Sequence, residues 1–343
     1  MENVFYFHKI NAIGGVESFF YYLSRVYKNM VVYYKEADPL QIERLAKNIE
    51  VRKYKDLIKC KRFFCNYGFD IDVEAEEYYH MVHYDAMNVG FTPMVNEGFK
   101  YIGVSKVACK SFEEKTGNKC ELIYNVVPIK KKGLEKYDDT LRLISITRLS
   151  PEKGGERINK LAKILDDNNI NYHWTIYTNK TRYPFISPNI EIKPQSLDIH
   201  DEVEKSHWLV QLSKCESFGL SVCEALILGT PVIITDLEAF KEIGCKHGEN
   251  ACICNIDLSN VDLELIKKGI KDFKYTPPKS NWGKYLNNET NYNPNDLIKV
   301  KPLRNYTDIV LNKYLLRSQI YEMTKARASY LEAKGLVEVL YGI

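Results

Sequence analysis

Short runs of apolar, β-branched or aromatic residues alternate with longer amphipathic stretches through most of the chain. This is the rhythm of βα units that build a parallel sheet with helices on both faces. In the first half it predicts strands at Val4 to Phe7, Met30 to Tyr34, Arg62 to Asn66, Tyr78 to His83 and Tyr101 to Val104, with a first helix following Gly14 and Gly15. A second series is predicted at Leu141 to Thr147, Tyr172 to Tyr177, Trp208 to Leu212 and Pro231 to Ile234. Between the series, VVPIKKKGLEKYDDT has no apolar period, which places a linker at 126–140. The α/β chain therefore divides into a first Rossmann-like domain at 1–125, a second at 141–287 and a small appended module at 288–343. The last boundary falls within TPPKSNWGKYLNNETNYNPND, too rich in Pro and Asn to continue a βα unit. Beyond it, residues 297–311 read as a strand or two, and TKARASYLEAKG as a short helix with Thr324 as N-cap and Gly335 as its stop.

Composition narrows the class without deciding it. At 343 residues the chain exceeds what one hydrophobic core usually serves, and 45% hydrophobic residues suffice for two cores. Charged residues at 27% and a net charge of +3 describe an ordinary surface and argue against a nucleic-acid partner. The longest apolar stretch, 222–235, is broken by Glu224, Gly229 and Pro231, so no membrane span is expected and a membrane role is peripheral. Nine cysteines without a paired framework point to a reducing compartment, and the opening MENVFYFHKINAIGG reads as a first strand rather than a leader. The expected address is cytoplasmic, with peripheral contact at the inner membrane face left open. Cys252 and Cys254 lack the companion ligands of a zinc site and read as buried small hydrophobes.

The most informative segment is CESFGLSVCEALILGTPVIIT, which follows the strand HWLVQLS. A strand, a loop holding Gly219, a helix and another buried strand put that loop at a strand's carboxyl end, where open α/β sheets bind ligands. Backbone N–H groups of Phe218, Gly219 and Leu220 would meet a diphosphate at the positive end of the helix dipole. Glu216 and Glu224 bracket the loop, and carboxylates accept from the vicinal hydroxyls of sugar or ribose. On spacing alone Glu224 also fits a solvated capping carboxylate. In ITRLSPEKGG, Arg148 and Lys153 sit on the loop after the first strand of the same half; taken alone they make a solvated turn, and opposite the Glu loop they make the cationic half of one site.

In the first half, Gly14 and Gly15 stand at the turn from strand to helix, as a plain tight turn or as space for a ligand held by the opposite domain. His83 emerges at the carboxyl end of EYYHMVH, where it faces a cleft if the two halves oppose each other and is then expected to contact a transferred sugar, whereas mid-strand His80 reads as a core residue. Asp70-Ile71-Asp72 imitates a metal motif but follows a Gly turn, and no metal is expected there. Lys53, Lys55, Lys59, Lys61 and Arg62 cluster as a solvated face or as a contact for anionic headgroups.

Together these segments resemble family four of the retaining glycosyltransferases. ESFGLSVCE with GTPVI is similar to its two-glutamate signature, TRLSPEKG to its Arg and Lys phosphate motif, GGVESFF to its N-terminal glycine turn, YIGVSKVACKSFEEKTG and IYNVV to its domain-joining segment, and HYD to its N-domain histidine. The resemblance covers residues 1 to about 287; the segment WTIYTNKTRYPF differs from the family's glycine-rich turn. It implies a GT-B fold, two Rossmann-like domains facing across a cleft, with the acceptor on the first and the donor on the second. It implies that Glu224 holds the ribose diol, Glu216 the sugar hydroxyls, Arg148 and Lys153 the diphosphate, and that Gly15 lies near the distal phosphate. The expected donor is a UDP-sugar, with GDP- or ADP-sugar as alternatives, and no other cofactor. The expected acceptor is a saccharide or lipid-linked molecule, in cell-surface polysaccharide or glycolipid synthesis. Two rivals remain: a non-catalytic nucleotide-sugar or glycan-binding module, and a glycoside hydrolase, whose chemistry gives a phosphate-binding pair nothing to do.

Overall fold

The computed structural model describes residues 1–136 and 140–341. The predicted linker's 137–139 and the last two residues of the appended module lie outside them. The first lobe runs β1 (Asn3–Ile10), α1 (Gly15–Val26), β2 (Val31–Ala37), α2 (Pro39–Ala46), β3 (Glu50–Lys53), β4 (Ile58–Cys65), β5 (Val73–Val82), β6 (Phe99–Gly103), α3 (Lys106–Thr116) and β7 (Cys120–Leu122). Its seven strands pair in parallel in the order β3-β2-β1-β4-β5-β6-β7. Register aligns Phe5 with Phe64 and Phe64 with Tyr79, and the three rings stack at 4.4 and 4.7 Å across the sheet. Aromatic faces buried this way contribute packing beyond their area.

The second lobe runs β8 (Leu141–Ile146), α4 (Gly155–Asp167), β9 (Tyr172–Thr178), β10 (Ile190–Pro194), α5 (His200–Lys205), β11 (Trp208–Gln211), α6 (Leu220–Ile227), β12 (Val232–Thr235), α7 (Glu238–Glu242), β13 (Ala251–Cys254) and α8 (Leu263–Lys268). Its parallel sheet has the order β10-β9-β8-β11-β12-β13. Both sheets thus reverse winding direction once, between β1 and β4 and between β8 and β11. At such a switch point neighbouring loops diverge and leave a crevice beyond the strand ends.

The stretch 126–136 carries no helix or strand, yet it is pinned to the second lobe. The Glu204 carboxylate, 1% exposed, accepts from the backbone N–H of Lys132, Gly133 and Leu134, and Lys136 donates to the Ser206 carbonyl and Thr230. The chain later returns: Trp282, Tyr285 and Leu286 lie in the core of the first lobe, with Trp282 against Phe5, Phe19 and Phe64. Sequence pattern had assigned these residues to the second domain with the rest of 141–287.

The remaining part is a three-stranded antiparallel sheet, β14 (Leu297–Pro302) flanked by β17 (Tyr321–Thr324) and β18 (Val337–Val339), with α9 (Lys325–Ala333) and a hairpin of β15 (Tyr306–Asp308) and β16 (Lys313–Leu315). Thr324 caps α9 by accepting from the Arg327 N–H, and Gly335 follows it with φ +68°. This piece docks on the outer edge of the first sheet. Lys55 pairs with Glu332 and Glu338, and Tyr292 donates to the Ala46 carbonyl. No helix among the described residues is long and apolar enough to cross a membrane.

Candidate active site

The loops after β8 and β11 flank the second switch point and are bonded to each other. Arg157 of α4 donates to the Leu212 carbonyl at 2.6 Å and to the carbonyls of Pro151 and Glu152, while the Lys214 N–H donates to the Glu152 carbonyl at 2.7 Å. Gly154 makes this approach feasible. It has φ +88°, and a Cβ there would overlap the Leu212 carbonyl oxygen. The single turn Pro151–Lys153 then aims the Lys153 ammonium at Glu216, Nζ to Oε1 2.7 Å. Ser213 Oγ and Gln211 Nε2 donate to the same oxygen at 2.7 and 3.1 Å, leaving Oε2 with no partner among the described residues. Ser213 and Gln211 supply at Oε1 the further hydrogen bonds that a largely buried ion pair needs, while Oε2 stays open. Arg148 lies exposed at the mouth of the same loop, with no ion pair or hydrogen bond among the described residues.

Gly219 opens α6 with φ +85°, and a Cβ there would come within 2.7 Å of the Phe240 ring. The Phe218 side chain is buried in the core, and Leu220 packs against both lobes. Glu224, a turn further on and 7% exposed, accepts from the Tyr22 hydroxyl of α1 at 2.7 Å. His200 Nε2 lies 3.8 Å from Glu224 and 3.0 Å from the Tyr22 oxygen. Burial, followed by the Glu224 charge, pushes the Tyr22 phenol well above its ordinary range, so it remains a donor.

On the first lobe, Gly14 precedes α1 in an extended conformation, and a Cβ there would overlap the Glu17 carboxylate. That carboxylate accepts from the Asn11 backbone and side-chain amides at 3.0 and 3.1 Å. Gly15 borders open space. His83 follows the end of β5; its ring meets Phe19 edge-on at 4.7 Å, and Nε2 is shielded without a partner among the described residues. Burial, reinforced by neighbouring His80, lowers its pKa to about 3, so the ring is neutral. The His83 carbonyl accepts from Ser217 Oγ at 2.8 Å, a bond between the lobes that joins the residue to the Glu216 loop. His80 is buried beside Cys65 and Tyr84.

The first sheet's switch point holds a recess of about 290 Å³ lined by Tyr6 to Lys9, Asn11 and Asn66 to Gly68. Asn66, 2% exposed, has neither side-chain amide atom bonded among the described residues. Asp70 is engaged by Lys35 and His8 at 2.7 and 3.2 Å. Tyr22, His200, Gln211, Ser213 and Asn66 were missed by sequence reasoning. Only Asn66, a polar residue closing the apolar run Phe63-Phe64-Cys65, leaves a local trace in the sequence.

The structure therefore brings Lys153, Glu216 and the carbonyl of His83 together, leaves Arg148 at the rim, and seats Glu224 with Tyr22 and His200. Similarity to solved structures runs at low identity. Anabaena Alr3699/HepE in complex with UDP and glucose superposes with a TM-score of 0.60 at 13% identity, covering 78% of this chain and 89% of that one. A glycosyltransferase from Rickettsia africae ESF-5 gives 0.53 at 12% identity, covering 78% and 87%. WaaG, a glycosyltransferase involved in lipopolysaccharide biosynthesis, gives 0.52 at 12%, covering 78% and 88%. No curated protein sequence matches the chain. The fold is GT-B, and residues 126–274, which carry the Lys153, Glu216 and Glu224 loops, match the family model described as glycosyl transferases group 1.

Proposed function

We propose that this chain is a retaining, metal-independent glycosyltransferase that moves a hexose-type sugar from a UDP-sugar to a saccharide or lipid-linked acceptor. The carrying observation is the Lys153–Glu216 pair at the second switch point, beside the backbone N–H groups that open α6. The reported UDP and UDP-glucose complexes of HepE are consistent with that donor. In this reading 141–287 binds the donor and 1–125 the acceptor, with 126–140 joining them.

Glu216 takes sugar hydroxyls on its free Oε2 while Oε1 remains fixed by Lys153, Ser213 and Gln211. Glu224 takes the ribose diol once Tyr22 yields. Lys153, Arg148 and the N–H groups of Phe218, Gly219 and Leu220 stabilise charge as it develops on the diphosphate, which is the share of the barrier an enzyme lowers most effectively by fixed dipoles. Gly15 leaves room for the distal phosphate. The acceptor oxygen forms its bond to the anomeric carbon on the face from which the phosphate departs. The carbon–phosphate-oxygen bond breaks, and that phosphate oxygen receives the acceptor's proton. Neutral His83 contacts the sugar, and closure of the lobes excludes water.

The test is a screen of UDP-, GDP- and ADP-sugars for thermal stabilisation, followed by turnover with and without a chelator. A donor at a hundred times its dissociation constant adds about 2.7 kcal/mol. Stabilisation by a UDP-sugar with transfer that survives chelation supports the proposal. Binding without transfer, or cleavage of a glycoside in the absence of nucleotide, overturns it.

A further inference from the structure

The hairpin of the appended module ends in an apolar tip that the protein exposes and holds rigid. Ile309 is 87% exposed, Val310 73% and Leu311 40%. They are not a frayed loop. The Asp308 carboxylate accepts from the N–H of both Val310 and Leu311, at 3.0 and 3.1 Å, and is itself buried against Arg327 at 2.7 Å. A carboxylate and a guanidinium are thus spent on presenting three aliphatic side chains to solvent, which costs free energy in water unless something covers them.

The charge around the tip selects the cover. Between Leu303 and Ile320 the cations are Arg304, Lys313 and Arg317, and the only acid is Asp308, already neutralised by Arg327. Those three cations are exposed and form no ion pair among the described residues, and Tyr314, 58% exposed, stands beside them. Apolar side chains leading, with cations and an aromatic hydroxyl behind, match the order of acyl chains and anionic headgroups in a bilayer surface. A narrow convex hairpin lacks the broad face that a stable protein partner requires. By contrast, the basic cluster in the first lobe is largely neutralised: Lys55 meets Glu332 and Glu338, Lys59 meets Glu74, and Arg62 meets Glu77.

We infer that the β15–β16 hairpin is a membrane-docking element that inserts Ile309, Val310 and Leu311 into an anionic lipid surface. The inference is independent of the donor chemistry, because it is read by binding alone. The full chain is mixed with vesicles of phosphatidylcholine, with or without about 30% phosphatidylglycerol, and sedimented at low and at high salt. Partitioning onto the anionic vesicles at least about tenfold above neutral ones, weakened by salt, is expected. The double variant Ile309→Asp, Val310→Asp should lose about tenfold or more of that binding with an unchanged melting temperature. Arg304→Gln with Lys313→Gln should lose most of the salt-sensitive part. A third variant, Ile309→Trp, should show blue-shifted emission on anionic vesicles only, which reads insertion without a charge placed at the tip. Wild-type protein left in the supernatant, equal binding to neutral vesicles, undiminished binding by the double variant, or a tip-dependent dimer in solution would each overturn the inference.

Discussion

Lys153 and Glu216 are a single unit, and substituting either tests the other. Removing the ammonium leaves Glu216 with only neutral donors and removes a cation from the proposed diphosphate site. Lys153→Ala and Glu216→Ala are each expected to lower turnover at saturating donor at least about a hundredfold, the scale for losing one transition-state interaction. Circular dichroism and melting temperature should show that the fold survives. Both residues were legible in the sequence because each lies in a motif a few residues long. Tyr22 was not, because its bond to Glu224 spans 202 positions and no local pattern encodes it. Tyr22→Phe leaves a buried carboxylate short of its donor and is expected to cost about 1.5–3 kcal/mol in denaturant unfolding, the range for hydrogen bonds to charged groups. Two histidines near the end of β5 give a pH signature. Burial lowers His80 to about 4 and His83 to about 3, below the ordinary value near 6.5. The unfolded chain therefore binds more protons, so stability is full above about pH 6.5 and falls as pH drops toward those values. His80→Gln should flatten the melting-temperature profile between pH 6.5 and 4, by up to about 1.4 kcal/mol per pH unit of slope.

At the scale of elements, glycines decide whether the two loops of the second switch point can meet. A methyl group at Gly154 would have to displace the backbone of Leu212 and hold φ +88°, so neither cost is relieved by moving a side chain. Gly154→Ala is expected to destabilise by more than about 1 kcal/mol and to separate Lys153 from Glu216, read as a fall in both melting temperature and donor affinity. Strands such as β1, β8 and β9 announced themselves through runs rich in apolar, β-branched or aromatic residues. Among the short ones, β11 and β12 were legible but others were not: Glu50–Lys53 has one apolar residue, Cys120–Leu122 spans three positions, and Ile190–Pro194 alternates at a sheet edge. Their pairing is supplied by a neighbouring strand rather than by their own composition, which is why periodicity passes over them.

Across the whole molecule, the lobes are held together by a shared hydrophobic cluster that takes Val82 and Phe112 from the first and Phe218 and Phe240 from the second, and by hydrogen bonds beside it. Glu242 of α7 accepts from the N–H of Lys106 and Val107 at 2.6 and 3.3 Å, satisfying the start of α3 in the opposite lobe. Glu242→Ala leaves Ser105 to cap α3 alone and is expected to loosen closure. Scattering should then report a radius of gyration above the roughly 20 Å typical of a compact chain of this length. The return of Trp282 to the first lobe was not legible, since Pro and Asn before it read as the end of a domain and only three-dimensional packing reveals where the indole goes. That return has a mechanical result. The chain itself crosses between the lobes at two separated places, the strap fixed by Glu204 and the segment anchored by the Trp282 indole. A body held by two tethers loses rotations that a single linker would leave free, so whatever parts these lobes must stretch both crossings at once.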